Sequence, residues 1–296
     1  MKNTIKIFSV ILLVSTAANA AQTGAQFLKI DTDARLSGMA SAGVASALGV
    51  NALSCNPAGL SAITGPEAAF SHSKWLMDAS HDYIGFGMPV KKMAVGLGIT
   101  RLSNSSMQGR ADDGSAAGGY SAYDQSVSLG FGYKSVGGAV KYIQSSIAGV
   151  RAHAFAVDLG ARQKLSGLPV MLGLGVQNLG TGIKYLSQRD NLPLSVSAGF
   201  TFMVMPGMGL SVDAKRLVYD KQTVVSAGTE YAMHTSNNLG FALRGGYGLT
   251  GLARSNDKNG LSVGAGITAL GAQLDYAVSP ETGLGSVQRI TVKKKF

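Results

Sequence analysis

From Glu67 to the C-terminus the chain alternates apolar residues with small or polar ones at a period of two. Val127, Leu129, Phe131 and Tyr133 interleave with Ser128, Gly130 and Gly132. Leu194, Val196, Ala198, Phe200 and Phe202 interleave with Ser195, Ser197, Gly199 and Thr201. The same alternation runs through 210–215, 225–231, 261–268 and 272–278. Successive side chains leave a pleated strand on opposite sides, so a strand with one dry face and one polar face has this pattern. Counting such segments gives roughly fourteen, most of about 9–12 residues, which suits the ~9–11 that a tilted strand needs to cross a bilayer. Globular strands are shorter, usually ~5–6 residues.

Connection lengths separate a membrane reading from a soluble one. Numbered from Glu67, the even connections are tight: Pro89 to Lys91, Ser135-Val136, Met205 to Gly207 and Ala269-Leu270. The odd ones include the long pieces Asn104 to Asp124, Leu179 to Leu192 and Thr250 to Asn259. Long loops on one rim and short turns on the other are the habit of outer-membrane barrels. An open edge would leave backbone groups unpaired in hydrocarbon, so the strands have to close into a ring. Residues 67–296 are therefore expected to form an all-β, transmembrane antiparallel barrel of about fourteen strands, integral to a bacterial outer membrane and surrounded by its lipid. The last strand carries Ile290 and Val292 on one face and ends at Phe296. A terminal aromatic of this kind resembles the signal read by the barrel assembly machinery, which makes Phe296 a candidate assembly residue.

The first residues and the segment that follows them do not share the pattern. Lys2 and Lys6, the apolar run Ile7 to Val14, and small residues at Ala18 and Ala20 predict a signal peptide over 1–20, cleaved before Ala21. That run is too short to span a bilayer as a helix. Residues 21–66 form a second unit. Between 24 and 62 the chain is rich in Ala, Gly and Ser with a loose helical period, then turns at Asn56-Pro57. This predicts one small-residue helix and an irregular segment. An Asn before Pro favours an extended or turn conformation, in a hatch kink or an ordinary loop. Arg35 follows Asp31 and Asp33 closely and pairs either with an acidic residue of the barrel lumen or locally at the surface. Trp75 and Tyr83, in the first outer hairpin, read as interfacial belt residues.

Composition narrows the chemistry. Forty glycines, seven prolines and a single cysteine fit an all-β chain with many turns and no intramolecular disulfide. Removing Lys2 and Lys6 with the signal takes the net charge from +10 to +8. The basic residues are scattered, with no basic helix or aromatic-basic cluster, which argues against nucleic acid. His72, His81, His153 and His234 are isolated and have no metal-site spacing. "SHSK" at 71–74 fits a Ser-x-x-Lys pattern but lies in a strand without partner motifs. "DDGSAAGG" from Asp112 reads as a flexible acidic loop. No catalytic, cofactor or metal site is expected, and the chain reads as a non-enzyme.

Several motifs in order resemble a known family. "GAQFLKIDTDARLSGMASAGVA" at 24–45, "NPAGL" at 56–60 and "WLMDASHDY" at 75–83 are similar to the amino-terminal signature of the PorV/PorQ family. "VQNLG" at 176–180, "LPLSVSAG" at 192–199, "LRGGY" at 243–247 and the C-terminal run from Leu274 continue the likeness. Ala40 stands where that pattern has Gly, and Gly49 to Cys55 lacks its acidic residues and aromatic. The family is similar to the FadL-like transporters. The resemblance implies that 24–62 sits inside the barrel as a plug, with Asn56, Pro57 and Ala58 in its hatch. It implies first a component of a type IX-like protein secretion or outer-membrane assembly, partnered by secreted cargo or secretion-system subunits. The alternative is a FadL-like passive transporter of hydrophobic small molecules, releasing its solute by a lateral or hatch route.

Overall fold

A computed structural model describes residues 23–235, 239–250, 260–281 and 285–296. The segment read as a signal peptide lies outside them. Seven strands make the first part of the wall: β1 (Glu67–Lys74), β2 (Ser80–Val90), β3 (Met93–Arg110), β4 (Ala116–Tyr133), β5 (Val136–Ile147), β6 (Val150–Lys164) and β7 (Val170–Gly180). Then β8 (Ile183–Tyr185) and β9 (Gln188–Asp190) form a separate two-stranded ribbon. The wall resumes with β10 (Ser195–Met205), β11 (Met208–Leu217), β12 (Gln222–His234), β13 (Gly240–Thr250), β14 (Leu261–Ala269), β15 (Ala272–Glu281) and β16 (Gly285–Lys295). Each strand pairs antiparallel with the next, β7 pairs with β10, and β16 returns to β1, giving a closed barrel of fourteen strands.

The period-two alternation sorts side chains as the sequence predicts. Leu129 is 57% exposed and its neighbour Ser128 only 7%. Phe200 is 40% exposed while Ser197 is 2%. The large apolar residues thus face outward and the serines and charges inward, the inverse of a soluble protein and the arrangement a lipid-embedded barrel requires. Neither Trp75 nor Tyr83 is a belt residue: the Trp75 ring borders a luminal cavity beside Arg289 and His81, and Tyr83 is buried. It points into the lumen and donates through its hydroxyl to the Val50 carbonyl at 2.8 Å.

Two-residue turns at Lys91-Lys92, Lys134-Ser135, Pro206-Gly207 and Leu270-Gly271 mark one rim, where β1 begins and β16 ends. Left-handed backbone is needed there, and Gly207 supplies it at φ +82°. The opposite rim carries the longer connections, but less strictly than the sequence suggests. Ala148-Gly149, joining β5 to β6, is itself only two residues. The stretch 104–124 is not a loop either: β3 and β4 run 18 residues each, and their pairing continues to Arg110 and Ala116. Their far ends, around Gly118 and Gly119, lack apolar alternation because they rise above the dry zone, where backbone pairing alone keeps them extended. The 181–194 connection contains the β8–β9 ribbon, and most of 250–259 lies outside the described residues.

A charge on the dry face should destabilise the assembled barrel. Phe200→Arg is expected to cost ~2–4 kcal/mol, whereas Thr268→Arg, which borders a cavity of the lumen, should be tolerated. The fraction of heat-modifiable, folded barrel on unheated gels checks this. Equal losses would contradict the register.

Candidate functional site: the lumen and its plug

Residues 23–63 lie inside the ring, but not as one helix. Only Ala34–Ser37 (α1) is α-helical, with 3-10 turns at Gln26–Lys29, Val50–Ser54 and Pro57–Ala62. Left-handed residues at Ala40 (φ +52°) and Ser41 (φ +67°) stop the helix. Ala40 therefore occupies a conformation that favours Gly, the residue the resembling pattern has there.

So irregular a segment has many backbone groups without intrasegment partners, and the inward polar side chains of the wall supply them. Asp213 accepts from Val44 N at 2.7 Å, Thr291 Oγ1 from Ala34 N at 2.9 Å, and Glu67 Oε1 from Val50 N at 2.6 Å. Arg162 Nε donates to the Ala45 carbonyl at 2.8 Å and Gln177 Nε2 to that of Ser54 at 2.7 Å.

The hatch candidates act as an anchor. Asn56 is fully buried and caps the turn that Pro57 opens, its Oδ1 accepting from Ala58 N at 3.1 Å. Its Nδ2 donates to the carbonyls of Val44 (2.7 Å), Ala161 (3.1 Å) and Leu174 (3.2 Å), joining plug to β6 and β7. A methyl at Gly160 would overlap Asn56 Oδ1, so glycine permits this approach. Ala58 is equally buried and lies against the β5 backbone at Gly137.

Arg35 pairs with the lumen, not locally. Its Nε and Nη2 hold both Glu230 oxygens at 2.8 Å, and its Nη1 donates to the Ser46 carbonyl at 3.1 Å. Glu230 also receives Arg244 Nε at 2.6 Å, and Arg244 Nη1 reaches Asp275 at 2.8 Å. One ionic chain thus ties the plug to β12, β13 and β15. A second buried cluster sits at a bulge in β7, where Asn178 has φ +60°. There Asp158 accepts from Asn178 N at 2.8 Å and meets Lys141 Nζ at 2.6 Å. Sequence reading passed over Lys141, Asp158, Asn178, Glu230, Arg244, Asp275 and Arg289. The charged ones were visible as charges on the polar parity of the strands, the side that faces the lumen.

From Gly38 to Ala40 the plug sits on bare backbone. Gly38 meets Gly264, and a Cβ built at Gly228 would come within 2.6 Å of Met39. Gly246 likewise has no room for a side chain beneath Met39 and Ala40. Cavities open on both sides of this seam. The one towards the short-turn rim, about 250 Å³, is bordered by Arg35, Leu48, Glu230, Arg244, Asp275 and Lys293. The one towards the long-loop rim, about 310 Å³, is bordered by Lys29, Asp31, Ser41, Trp75, Ser262 and Arg289. A third hollow, an apolar groove of about 570 Å³, runs past Leu172, Leu174, Ala198, Phe200, Val212 and Ala214. Phe296, at the end of β16, is exposed, shares parity with Ile290 and Val292, and donates its N–H to Pro66 at 2.9 Å. Among the described residues no cluster of His, Cys, Asp or Glu could hold a metal.

A closed ring with a dry exterior and polar lumen is a transmembrane barrel of the outer-membrane type, here with its N-terminal segment folded inside. Neither a protein-family profile nor a curated protein sequence matches the chain. Solved structures do, and they share its barrel fold. The CymD monoaromatic hydrocarbon channel superposes with a TM-score of 0.64 at 14% identity, over 90% of this chain and 97% of that one. The Pseudomonas putida toluene transporter TodX gives 0.63 at 15% identity, over 90% and 99%. A Pseudomonas aeruginosa FadL homologue gives 0.59 at 11% identity, over 90% and 98%.

Cys55, the one cysteine, reports on plug seating. It is buried in the plug, and burial pushes its thiol up to about 12, so the seated form should alkylate slowly. Arg35→Ala leaves Glu230 with Arg244 alone, a loss of ~1.5–3 kcal/mol for the charge-assisted hydrogen bonds removed, and should raise the native-state labelling rate of Cys55 at least tenfold. An unchanged rate would show that this ionic chain does not hold the plug.

Proposed function

We propose that the protein is a plugged channel for passive uptake of small hydrophobic molecules across the outer membrane, with the plug seam as its gate. The observation that carries this is the division of the lumen into two cavities by a seam that rests on glycine backbone at β12, β13 and β14. Interlocked side chains resist displacement because each sits in its own hole. A smooth seat of Gly228, Gly246 and Gly264 has few such holes, while Asn56 holds the rest of the plug to the opposite wall. A shift of residues 38–41 would join the cavities without unfolding the barrel.

The similar solved structures are named as hydrocarbon channels and toluene transporters, which favours transport over the secretion role that the sequence resemblance placed first. No feature of the lumen favours a secretion subunit. The apolar groove is lined by the outward-facing Leu172, Leu174 and Phe200, where the Gly173 backbone packs against the plug at Val44.

Toluene uptake by intact cells expressing the protein tests the reading. The wild type should raise uptake above cells lacking it. In the double variant Ala40→Cys and Gly248→Cys the two Cβ atoms would stand 3.8 Å apart, a separation suited to a disulfide. Oxidation should lower uptake to background and reduction restore it. Equal uptake in both redox states would rule out the seam as gate, and no gain over cells lacking the protein would rule out toluene-type transport.

A further inference from the structure

The cavity on the long-loop side is bordered by a buried arginine that makes no ion pair among the described residues. Arg289 of β16 faces inward and is only 3% exposed. Its Nη1 donates to Ser37 Oγ of the plug, but Nε and Nη2 have no partner among the described residues. Those two N–H groups form the side-on fork of a guanidinium, the edge that takes a carboxylate through two parallel hydrogen bonds. Buried polar groups are almost always paired, and a buried charge without a partner is costly. The neighbouring charges do not supply one. Asp31 borders the same cavity, yet its Oδ2 accepts from Ser41 at 2.5 Å and it makes no ion pair with Arg289. Lys29 is engaged by Asp220 at 2.5 Å.

Arg289 is not alone in this. Its register partner on β1 is Ser73, and Ser73 in turn faces His81 on β2. All three are buried, and Ser73 Oγ and His81 Nε2 are likewise without partners. An unsatisfied polar row therefore crosses β16, β1 and β2 at one height of the wall. Beside it the Trp75 ring stands 6.0 Å from the Arg289 guanidinium and 6.4 Å from the His81 ring, and it borders the cavity. A flat apolar surface beside an unpaired guanidinium edge suits an aromatic ring bearing an acid group. The cavity, about 310 Å³, is at the lower end of the ~300–1,000 Å³ typical of ligand pockets, which favours a single-ring acid over a long acyl chain.

We infer that this cavity is a recognition site for small aromatic carboxylates, with Arg289 binding the carboxylate and Trp75 the ring, on the outer side of the plug. The inference rests on the transport reading and deepens it, since a solute passing from the loops would meet Arg289 before the seam. Trp75 is the only tryptophan of the chain, so its fluorescence reports on this cavity directly.

Benzoate titrated into the purified full-length protein in neutral detergent should change Trp75 emission saturably, and benzamide, its neutral isostere, should bind at least tenfold more weakly. Arg289→Gln should weaken benzoate roughly tenfold or more, as expected for a charge-assisted hydrogen-bonded pair, and leave benzamide unmoved. The benzoate–benzamide comparison in the wild type needs no variant and holds even if Arg289→Gln fails to assemble. Equal binding of the two, no saturable benzoate signal, or an unaltered benzoate affinity in assembled Arg289→Gln would each overturn the inference. Toluene uptake measured alongside separates the outcomes: uptake without benzoate binding defeats the carboxylate site alone, and loss of both defeats the transport reading beneath it.

Discussion

Hydrocarbon offers no hydrogen bonds, so every backbone N–H and C=O of a membrane-crossing strand must find its partner within the wall. Closure of β16 onto β1 through eight register pairs, from Glu67 with Lys295 to Lys74 with Gln288, satisfies that demand at the last open edge. The rest follows from the ring. Fourteen tilted strands enclose more space than their own side chains can fill, unlike an eight-stranded barrel, so the lumen needs an occupant. The same constraint splits each strand into a dry side and a wet side, which is why serines and charges are buried here and leucines exposed.

The occupant is shaped by what the wall leaves unsaturated. Wall backbone is largely spent on the ladder, so inward side chains are the main partners of the plug backbone: Asp213, Thr291, Glu67, Arg162 and Gln177 each serve a plug backbone group. A segment of Ala, Gly and Ser exposes its backbone freely and accepts this arrangement, where a regular helix would keep its hydrogen bonds to itself. Binding is uneven around the circumference. On the β5–β7 side Asn56 locks plug to wall; on the β12–β14 side Arg35 is held by Glu230, and residues 38–40 beyond it rest on glycine backbone. Residues 38–41 are the stretch of plug with cavities on both sides.

Buried charge divides into two kinds. Arg35, Glu230, Arg244 and Asp275 neutralise one another across plug and wall, as do Lys141 and Asp158 at the β7 bulge. These chains hold the structure together. Arg289 is different, since its Nε and Nη2 have no partner among the described residues and its side chain borders the cavity nearest the long-loop rim. Among those residues Arg289 is the one buried cation with unpaired N–H groups, which makes it chemically informative.

By itself the sequence determined the strand count, the start of the barrel at Glu67, and which residues face lipid, because the period-two pattern is a local record of a two-sided environment. Asn56-Pro57 likewise declared a turn, since Pro restricts the residue before it. It did not determine the ends of β3 and β4, where no dry face marks the strand, nor the inward turn of Tyr83, whose partner Val50 is brought near only by the plug. It suggested one helix between 24 and 62, and the tertiary structure replaced it with short turns because wall side chains compete for the backbone. Arg35 could have paired locally or across the lumen; the barrel placed Glu230 within reach. The row Ser73, His81 and Arg289 was beyond any reading of spacing, because β1, β2 and β16 become neighbours only when the ring closes.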